Sequence, residues 1–297
     1  MSKVSIAIIG LNGSLGKPVL EALKSGTFKD KVQFPIKAIS RKDPETKDPN
    51  VDYVVSAIDD GTIDSISQRL AGTDVIIELT GANPDLFSKV EKIVAKVKPK
   101  LFIPSQFGTD IEALETYAPG LLTFKQIHSE NVRKLGVKVV DILTSLFAVP
   151  GAFLYEWVHA VGIDPHAKTV KLIGGADSKF HVSKVTDIGN TVAFVATSDP
   201  KTLPNTVKIA SDEISVQNVI DRYSKDHGIE LKVVSTQPAE EAKKELIDSL
   251  KNGFNHEKFL WYLNVVLAQG LDKGLLFSKL DNELVNPGES LWKWGKY

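Results

Sequence analysis

The stretch Met1–Pro18, MSKVSIAIIGLNGSLGKP, decides how the rest of the chain is interpreted. Val4–Ile9 is a short, nearly unbroken apolar run, which is typical of a strand buried on both faces of a parallel sheet. Three glycines follow at regular spacing, Gly10, Gly13 and Gly16, and apolar residues then recur at helical spacing. A strand, a glycine turn and a helix together form the unit that binds a pyrophosphate.

Each glycine of this turn has a separate part in that prediction. Gly10 permits the tight turn, Gly13 lets the backbone approach the phosphates, and Gly16 lets the helix pack close to the strand. Pro18 suits the first helical turn, because its missing N–H would have no partner there. A surface turn would also use glycines, but the position directly after a buried strand favours a nucleotide site. The predicted cofactor contacts in the turn are Gly10, Asn12, Gly13, Ser14, Leu15 and Gly16.

The composition is that of an ordinary globular protein. Of the 297 residues, 42% are hydrophobic and 25% are charged, and the formal net charge of −1 gives no basic surface that would predict nucleic-acid binding. The absence of cysteine excludes disulfides, thiolate metal sites and a thiol nucleophile. The six histidines show no metal-binding spacing, so no metal site is expected. The N-terminal apolar run is too short for a secretory signal or a membrane span, and we expect a soluble cytoplasmic protein without a membrane partner.

The residues after the second predicted strand indicate which dinucleotide binds. Phe34–Ser40 forms this strand, and Arg41 and Lys42 follow it directly. An acidic residue at this position binds the ribose 2′-hydroxyl of NAD, whereas a basic one accommodates the 2′-phosphate of NADP. The nearest acids, Asp43 and Glu45, come later, and a guanidinium matches phosphate through its fork of donors. A solvated basic turn is the alternative, but the glycine turn favours NADP(H), with Arg41 and Lys42 as contacts.

Strands and helices alternate through the first half of the chain. Further strands are predicted at Asp52–Ile58, Asp74–Leu79, Lys100–Ile103 and Val137–Ile142, and helices at Thr62–Ala71, Pro84–Val97 and Thr123–Leu135. Asn83 is the predicted cap of the second of these helices. This order implies right-handed crossovers and a parallel sheet covered on both faces. Glu78 is unexpected in such a strand, because a central strand seldom buries a carboxylate without a partner.

Residues that directly follow the strands should face one crevice, since ligands of such sheets bind beyond the carboxyl ends of the strands. We add to the predicted cofactor site Asp59, Thr80, Gly81, Ser105, Gln106 and Phe107. For Asp59 a helix cap is at least as good an interpretation as an adenine contact, and for Ser105 the alternative is a loop cap.

The pattern is less regular beyond Phe147. The aromatic segment Ala148–Trp157 is interrupted by Pro150 and Gly151 and suggests a lid on the substrate side. Strands are predicted at Thr169–Ile173, Thr206–Ile209 and Ile229–Val234, and helices at Asp187–Thr197, Ser215–His227, Pro238–Asn252 and His256–Gly270.

Several of these segments resemble the isoflavone-reductase-like branch of the atypical short-chain dehydrogenases, close to the fungal NmrA-like proteins. The resemblance covers most of the chain. It rests on GLNGSLGKP at 10–18, Arg41, LFIPSQFGTD at 101–110 and FKQIHSENVRKLGVKVVDI at 124–142, with GGADSKFHVSKVTDIGNTVA at 174–193 and LPNTVKIASDEISVQNVIDRY at 203–223 matching in character. The PSxFG segment is the most specific of these signals.

The resemblance implies an α/β protein with two domains. Residues 1–150 would form an NADP-binding, Rossmann-type doubly wound parallel sheet. Residues 151–297 would form a smaller α/β substrate domain, with segments after Thr169 returning in part to the main sheet. Enzymes of this branch reduce aromatic or conjugated small molecules with NADPH, and Lys125 occupies the position of their active-site lysine. The family usually has glutamate where this chain has Gln106, and the segment 146–157 differs from that of the plant enzymes, so the plant substrates do not follow.

Lys125 is the predicted catalytic residue. None of the six tyrosines has a lysine four residues later, so the tyrosine–lysine pair of the standard short-chain reductases is absent at its usual spacing. Lys125 would hydrogen-bond the nicotinamide ribose and act on the substrate oxygen, and burial near a cationic ring would lower its pKa. A solvated surface lysine is the alternative. The candidate substrate contacts are Phe107, His128, Phe147, Phe153 and Tyr155, which could equally be core residues.

Two functions remain open at this point. The first is an NADPH-dependent reductase of a small aromatic or conjugated carbonyl or enone. The second is a non-catalytic NADP(H)-sensing regulator of NmrA type, and only this one requires a protein partner. A sugar-nucleotide epimerase is disfavoured, because its chemistry relies on the absent tyrosine. A monomer and a homodimer are both compatible with the sequence.

Overall fold

The computed structural model describes residues 3–148 and 161–297 of the chain. Its centre is a six-stranded parallel sheet in the order β3-β2-β1-β4-β5-β6. The strands are β1 Val4–Ile9, β2 Val32–Ser40, β3 Val51–Val55, β4 Val75–Glu78, β5 Leu101–Ile103 and β6 Lys138–Val139. The chain builds outward from β1 in both directions, which is the Rossmann arrangement. The predicted fold class is confirmed.

The helices of the first half connect these strands. They are α1 Gly16–Lys24, α2 Ile63–Arg69, α3 Pro84–Val97, α4 Ile111–Glu115 and α5 Thr123–Lys134. The predicted cap of α3 is confirmed, since the Asn83 side chain accepts hydrogen bonds from the N–H groups of Asp85 and Leu86. Helix α4 was not expected from the sequence pattern, because five residues are too few to show a helical period.

Both faces of the sheet are covered, as the apolar strands predict. Ile6 and Ile8 of β1 belong to a core shared with α1 and with α6 (Val185–Thr197), a helix from the second half of the chain. Ala7 and Ile9 point to the other face, into a core shared with α2 and α3. Gly189 of α6 lies so close to α1 that a Cβ atom there would come within 2.5 Å of the Pro18 carbonyl oxygen.

The predicted sixth strand, Val137–Ile142, is two strands in the structure. Its first part is β6, and its second is β7 (Asp141–Leu143), which pairs in parallel with β12 (Thr206–Lys208). The change of neighbour occurs at Val140, whose N–H still donates to the carbonyl of Phe102, whereas the next N–H donates to that of Asn205. Residues from the second half thereby lie beside the main sheet.

The described residues of the second half contribute to two small three-stranded sheets, besides the pair β7 and β12, and contain a second core. The remaining strands are β8 Leu146–Ala148, β9 Ile163–Asp164, β10 Thr169–Ile173, β11 Lys179–Lys184, β13 Asp212–Ser215 and β14 Lys232–Gln237. The remaining helices are α7 Val216–His227, α8 Ala239–Leu250, α9 Phe259–Leu267 and α10 Asn282–Val285. Strands β14-β10-β9 form one sheet and β13-β11-β8 the other. The division of the chain at 150/151 stays a prediction.

Two sequence predictions in this half need correction, and some of its strands were not predicted. The strand expected at Ile229–Val234 begins only at Lys232, because Ile229 closes the preceding helix by donating its N–H to the Ser224 carbonyl after Gly228 at φ 61°. The helix expected at His256–Gly270 starts as a 3-10 turn, and its α-helical part is α9. Strands β11 and β13 were not predicted, since charged and apolar residues mix along both.

Within residues 3–148 and 161–297, no helix combines the length and the apolar character that a bilayer crossing requires.

Candidate active site

The glycine turn after β1 has the geometry that a nucleotide site requires. Gly10 adopts a φ of +90°, and a Cβ atom there would lie 2.9 Å from the Leu79 carbonyl oxygen. At Gly16 a Cβ atom would lie 1.6 Å from the Leu11 carbonyl oxygen, so no other residue fits this turn. The turn is closed by backbone hydrogen bonds of 3.0 Å from Gly13 to Gly10 and from Gly16 to Gly13.

Helix α1 begins in this turn, and no anionic group of the described residues occupies the N–H groups at its N-terminus. No side chain caps the helix, and its first turn carries no acidic residue. Asn12, Gly13 and Ser14 are exposed, whereas Leu15 is buried in the core beneath them. Leu15 therefore shapes the turn, while the exposed backbone of the other three residues can approach a ligand.

Arg41 and Lys42 lie beside this turn. Gly10 donates its N–H to the Ile39 carbonyl, which joins the turn to the end of β2. Both basic side chains are exposed, and Arg41 makes no ion pair or hydrogen bond with any residue in the described ranges. The Ser40 hydroxyl donates to the Lys42 carbonyl at 2.8 Å and fixes the bend. An unpaired guanidinium next to a glycine turn fits a phosphate ligand.

The ends of β4 and β5 are joined by side chains. The Ser105 hydroxyl donates to the Thr80 carbonyl at 2.6 Å, and the Thr80 hydroxyl donates to Oε1 of Glu78 at 2.8 Å. Glu78 is fully buried at the end of β4. Thr80 and Ser105 are both half-buried, while Gly81 is exposed. The predicted convergence of these residues at one edge of the sheet is therefore observed, although their contacts with a ligand stay a prediction.

Asp59 is engaged by its own loop. Its Oδ1 atom accepts hydrogen bonds from the N–H groups of Gly61 and Thr62 at 2.9 and 3.1 Å, just before α2 begins. The capping interpretation thus accounts for this carboxylate, and an adenine contact would have to use other atoms of the residue.

Lys125 is enclosed near the start of α5. Its side chain is 9% exposed, and its Nζ donates to the Gln106 carbonyl at 3.2 Å. Burial lowers the pKa of Lys125 to about 8, against the opposing attraction of Glu78 and Asp141. The surface interpretation of this lysine is therefore wrong. At neutral pH the amine is therefore mostly protonated, but it lies much closer to its titration midpoint than an exposed lysine does, which suits an acid–base group.

Gln106 does not present its side chain to the crevice. Its Nε2 donates to the Lys125 carbonyl at 2.5 Å and to the Ser129 hydroxyl at 2.7 Å, and the residue is 2% exposed. The Ser129 hydroxyl in turn donates to Asp141, which also pairs with Arg133. The Gln106 amide thus fixes the position of α5 and of Lys125, and a contact of this residue with the cofactor stays a prediction.

His128 is also turned away from the crevice. Its Nε2 lies 3.0 Å from Oε2 of Glu78, its Nδ1 lies 2.8 Å from Oε1 of Glu91, and it is 1% exposed. Both ring nitrogens therefore have carboxylate partners within the protein, and a substrate contact of His128 stays a prediction. A carboxylate buried in a central strand requires a partner, and for Glu78 that partner is His128.

The predicted apolar wall is described only in part. Phe107 is 9% exposed and belongs to the core beneath the sheet, as does Phe147, which is half-buried. Phe153, Tyr155 and most of the predicted lid lie outside the described residues. Among the residues that are described, no group of three or more His, Asp or Glu side chains is arranged to hold a metal.

Three residues of this site were missed by sequence reasoning: Glu91, Ser129 and Asp141. They lie on α3, α5 and β7, which meet only in the folded chain. A carboxylate or a hydroxyl on a helix is expected to face solvent until its partner from another element is known. The unexplained charge of Glu78 was the single available signal that such partners exist.

The comparison with known families agrees with this geometry. The NmrA-like family model matches residues 2–275, most of the chain. This chain belongs to the NmrA-like family. Among curated proteins, this NmrA-like chain is 26% identical over 268 residues to eugenol synthase 1 of Petunia hybrida, covering 83% of this chain and 82% of that protein. It is 25% identical to phenylcoumaran benzylic ether reductase 1 of Arabidopsis thaliana, covering 84% of this chain and 82% of the relative.

Solved structures share the fold of this NmrA-like protein. The crystal structure of an isoflavone reductase superimposes with a TM-score of 0.66 at 20% identity, covering 89% of this chain and 87% of the other. A leucoanthocyanidin reductase–NADPH complex from Vitis vinifera has a TM-score of 0.66 at 18% identity over 90% of this chain and 87% of the other. A nucleoside-diphosphate-sugar epimerase from Staphylococcus aureus has a TM-score of 0.65 at 16% identity over 95% of this chain and 96% of its own. At these identities the likeness concerns the fold alone.

Proposed function

We propose that this protein is an NADPH-dependent reductase of a small aromatic or conjugated carbonyl or enone. The observation that carries the proposal is the enclosed Lys125, whose pKa of about 8 suits proton transfer, next to the loop that follows β5. The reductases named among the relatives, and the NADPH complex among the structures of this fold, support it.

NADP(H) is the cofactor, and the residues that are present fit it. The steric cradle at Gly10 and Gly16 leaves room only for backbone, and the uncapped N-terminus of α1 directs its N–H groups outward. Arg41, exposed and without a partner among the described residues, holds the extra phosphate, with Lys42 beside it. When bound, the cofactor supplies a hydride to the substrate.

The chain supplies position and the proton. Lys125 donates a proton from Nζ to the substrate oxygen, directly or through one water, and also hydrogen-bonds the nicotinamide ribose. The carbonyl of Gln106 and the Gln106 amide hold this lysine from two sides, so its ammonium is fixed before a substrate arrives. Substrate specificity belongs to the unit formed by residues 151–297 together with Phe147.

The test is to incubate the protein with NADPH and a panel of aromatic ketones, enones, aldehydes and quinones, and to follow NADPH consumption. We expect turnover of at least one member and a loss of about a hundredfold or more in kcat for Lys125→Ala. The matched control is Lys134→Ala, which removes an exposed lysine from the same helix. Tight NADPH binding without any turnover would contradict the enzyme and favour the NADP(H)-sensing regulator.

A further inference from the structure

Lys125 lacks the carboxylate partner that two other partly enclosed lysines of this chain have. Lys24 and Lys208 are half-buried, and they pair with Asp48 at 2.6 Å and with Asp110 at 2.5 Å. Lys125 is more enclosed than either, yet it forms no ion pair with any residue in the described ranges. A buried ammonium without a counter-ion is unfavourable, so folding shifts this side chain towards its neutral amine.

The contact that Lys125 does make leaves the amine free to react. Its Nζ donates to the Gln106 carbonyl at 3.2 Å. A carbonyl oxygen only accepts hydrogen bonds, so this contact occupies one N–H of the neutral amine and not its lone pair. The Gln106 side chain in turn donates to the Lys125 carbonyl at 2.5 Å and holds that turn of α5 in place. A desolvated amine with a free lone pair is the form of lysine that attacks carbonyl groups.

The charged groups that face Lys125 do not restore its usual proton affinity. Burial lowers the pKa of Lys125 to about 8, against the attraction of Glu78 from β4 and Asp141 from β7. Both carboxylates are engaged by other residues of α5, since Glu78 bonds to His128 and Asp141 pairs with Arg133. At pH 7 about a tenth of the Lys125 side chains are therefore neutral, roughly three hundred times the fraction for a lysine with the usual pKa of 10.5.

The amine lies at the edge of the sheet where ligands are expected. The loop that accepts the hydrogen bond from Nζ follows the carboxyl end of β5, and its Ser105 hydroxyl donates to the Thr80 carbonyl after β4. Ser105 and Thr80 are half-buried, and the next residue, Gly81, is exposed. Ligands of such sheets bind beyond the carboxyl ends of the strands, so a small carbonyl compound in the crevice meets the same edge as Lys125.

We propose that Lys125 captures small aldehydes by forming a Schiff base on its Nζ. The lone pair of the neutral amine attacks the aldehyde carbon, a C–N bond forms, and one amine proton moves to the oxygen. The hydroxyl group then leaves with the second amine proton as water, and a C=N bond remains. No oxidation or reduction takes place. The inference shares with the proposed function the placement of Lys125 at the crevice, but the step itself uses no NADPH.

Capture of an aldehyde would oppose the proposed reductase activity. A Lys125 nitrogen that is bound in a Schiff base cannot reach the substrate oxygen as a proton donor. Because water reverses the bond, the inhibition should develop with time and disappear when the aldehyde is removed by dilution. Ketones are more crowded and less electrophilic than aldehydes, so they should not inhibit in this way. Aldehydes would therefore be inhibitors of the protein, and ketones and enones its better substrates.

The first test uses the native protein without NADPH. Benzaldehyde and sodium cyanoborohydride are added at pH 7, so that hydride from the reagent adds to the C=N carbon and leaves a stable benzylamine, which peptide mass spectrometry locates. We expect Lys125 to be labelled at least about tenfold faster than the exposed Lys134 of the same helix, since enclosure offsets part of its larger neutral fraction.

The ratio of the two labelling rates cancels the pH dependence of the reagents. It should fall as pH rises from 8 to 10, because Lys125 is already neutral there while an ordinary lysine is still losing its proton. Labelling of Lys125 no faster than that of Lys134 at pH 7 would overturn the proposal. That result would leave the reductase standing, because the charged form of Lys125 is the proposed proton donor.

The second test assigns the fast reaction to one nitrogen. Lys125→Arg keeps the positive charge but removes the nucleophile, and we expect the fast labelling of one site per chain to disappear. The matched control Lys134→Arg should retain it. Fast labelling that persists in Lys125→Arg would contradict the proposal. Native protein that is labelled at Lys125 but reduces no compound of the panel would refute the reductase and still support aldehyde capture.

Discussion

The glycine turn and the loop that binds Lys125 both follow the carboxyl ends of strands in one sheet, yet the two regions are built in opposite ways. The turn is local and made of backbone: seven residues, Gly10–Gly16, are fixed by contacts with Leu11 and Leu79. The Lys125 environment is made of side chains from β4, α3, α5, β7 and the loop after β5. An atom added to the backbone turn would clash with neighbouring backbone. Around Lys125, by contrast, many hydrogen bonds each contribute a part of the stability, so the loss of one leaves the others in place. The largest single effects should therefore come from the turn.

Gly16→Ala should have the largest effect on stability and should abolish cofactor binding at the turn. The added Cβ would lie 1.6 Å from a backbone oxygen that cannot move without displacing α1. We expect a loss of about 4 kcal/mol in the free energy of unfolding, measured by urea denaturation, and loss of NADPH binding by calorimetry. Gly26→Ala is the control, because nothing lies within 4 Å of its added Cβ. Native-like stability of Gly16→Ala would mean that the turn is not sterically fixed.

Lys125→Met should change stability in the opposite direction. The pKa of Lys125 falls from 10.5 to about 8 on folding, so between these values the unfolded chain binds more protons and stability rises with pH. Below pH 8 the buried charge costs about 3 kcal/mol in full, and above about pH 10.5 the cost is gone.

The variant should therefore be more stable by about 3 kcal/mol at pH 7, and the difference should vanish near pH 10.5. Denaturant unfolding at several pH values measures this. In the proposed mechanism the proton donor is the charged form of Lys125, which is lost as pH rises through about 8, so kcat should fall there too. Equal stability of both proteins at pH 7 would show that the lysine is not desolvated.

Arg41→Ala tests the turn region through its affinity for the cofactor. Loss of a charge-assisted contact with the 2′-phosphate should weaken NADPH binding by about 2 kcal/mol, or roughly thirtyfold, and leave NADH binding unchanged. Calorimetric titration with both dinucleotides measures the difference. Lys47→Ala, a nearby exposed lysine paired with Asp43, should alter neither affinity. An equal loss for both dinucleotides would remove Arg41 as the phosphate ligand.

Ser129→Ala should have the smallest effect of the series. It removes one acceptor of the Gln106 amide and one donor to Asp141, but Gln106 keeps the Lys125 carbonyl and Asp141 keeps Arg133. We expect about 1 kcal/mol of destabilisation by urea denaturation. Ser88→Ala, an exposed hydroxyl on α3, is the control and should cost less. A loss as large as that of Gly16→Ala would mean that the side-chain site is as rigid as the turn.

The same contrast explains what the sequence could predict. The sheet and the turn were predicted well, since Val4–Ile9, the three glycines and Pro18 carry their information within one short segment. The capping of α3 by Asn83 is equally local. The position and the burial of Lys125 were inferred from family resemblance, but its hydrogen-bond partner could not be, because Gln106 stands 19 positions away in the chain.

The side-chain directions that the sequence could not predict follow the same rule. Gln106 and His128 stood in segments that point to the crevice, but a side chain's direction is set by the partners it finds. For Gln106 these are Ser129 and the Lys125 carbonyl, and for His128 they are Glu78 and Glu91. Neither pairing leaves a periodic trace in the sequence. A buried charge without an explanation, such as Glu78, marks where such a partner should be sought.

The packing of α6 against α1 has a consequence for synthesis. One face of the nucleotide-binding sheet stays only partly covered, by α1 alone, until residues 185–197 have left the ribosome, because Ile188, Val192 and Val195 complete the core there. Gly189 must then settle against the backbone of Pro18, almost the full length of the nascent chain away. A truncated product ending near residue 150 would retain the phosphate turn but expose the apolar surface beneath it, and would be a substrate for chaperones and proteases rather than an independent module.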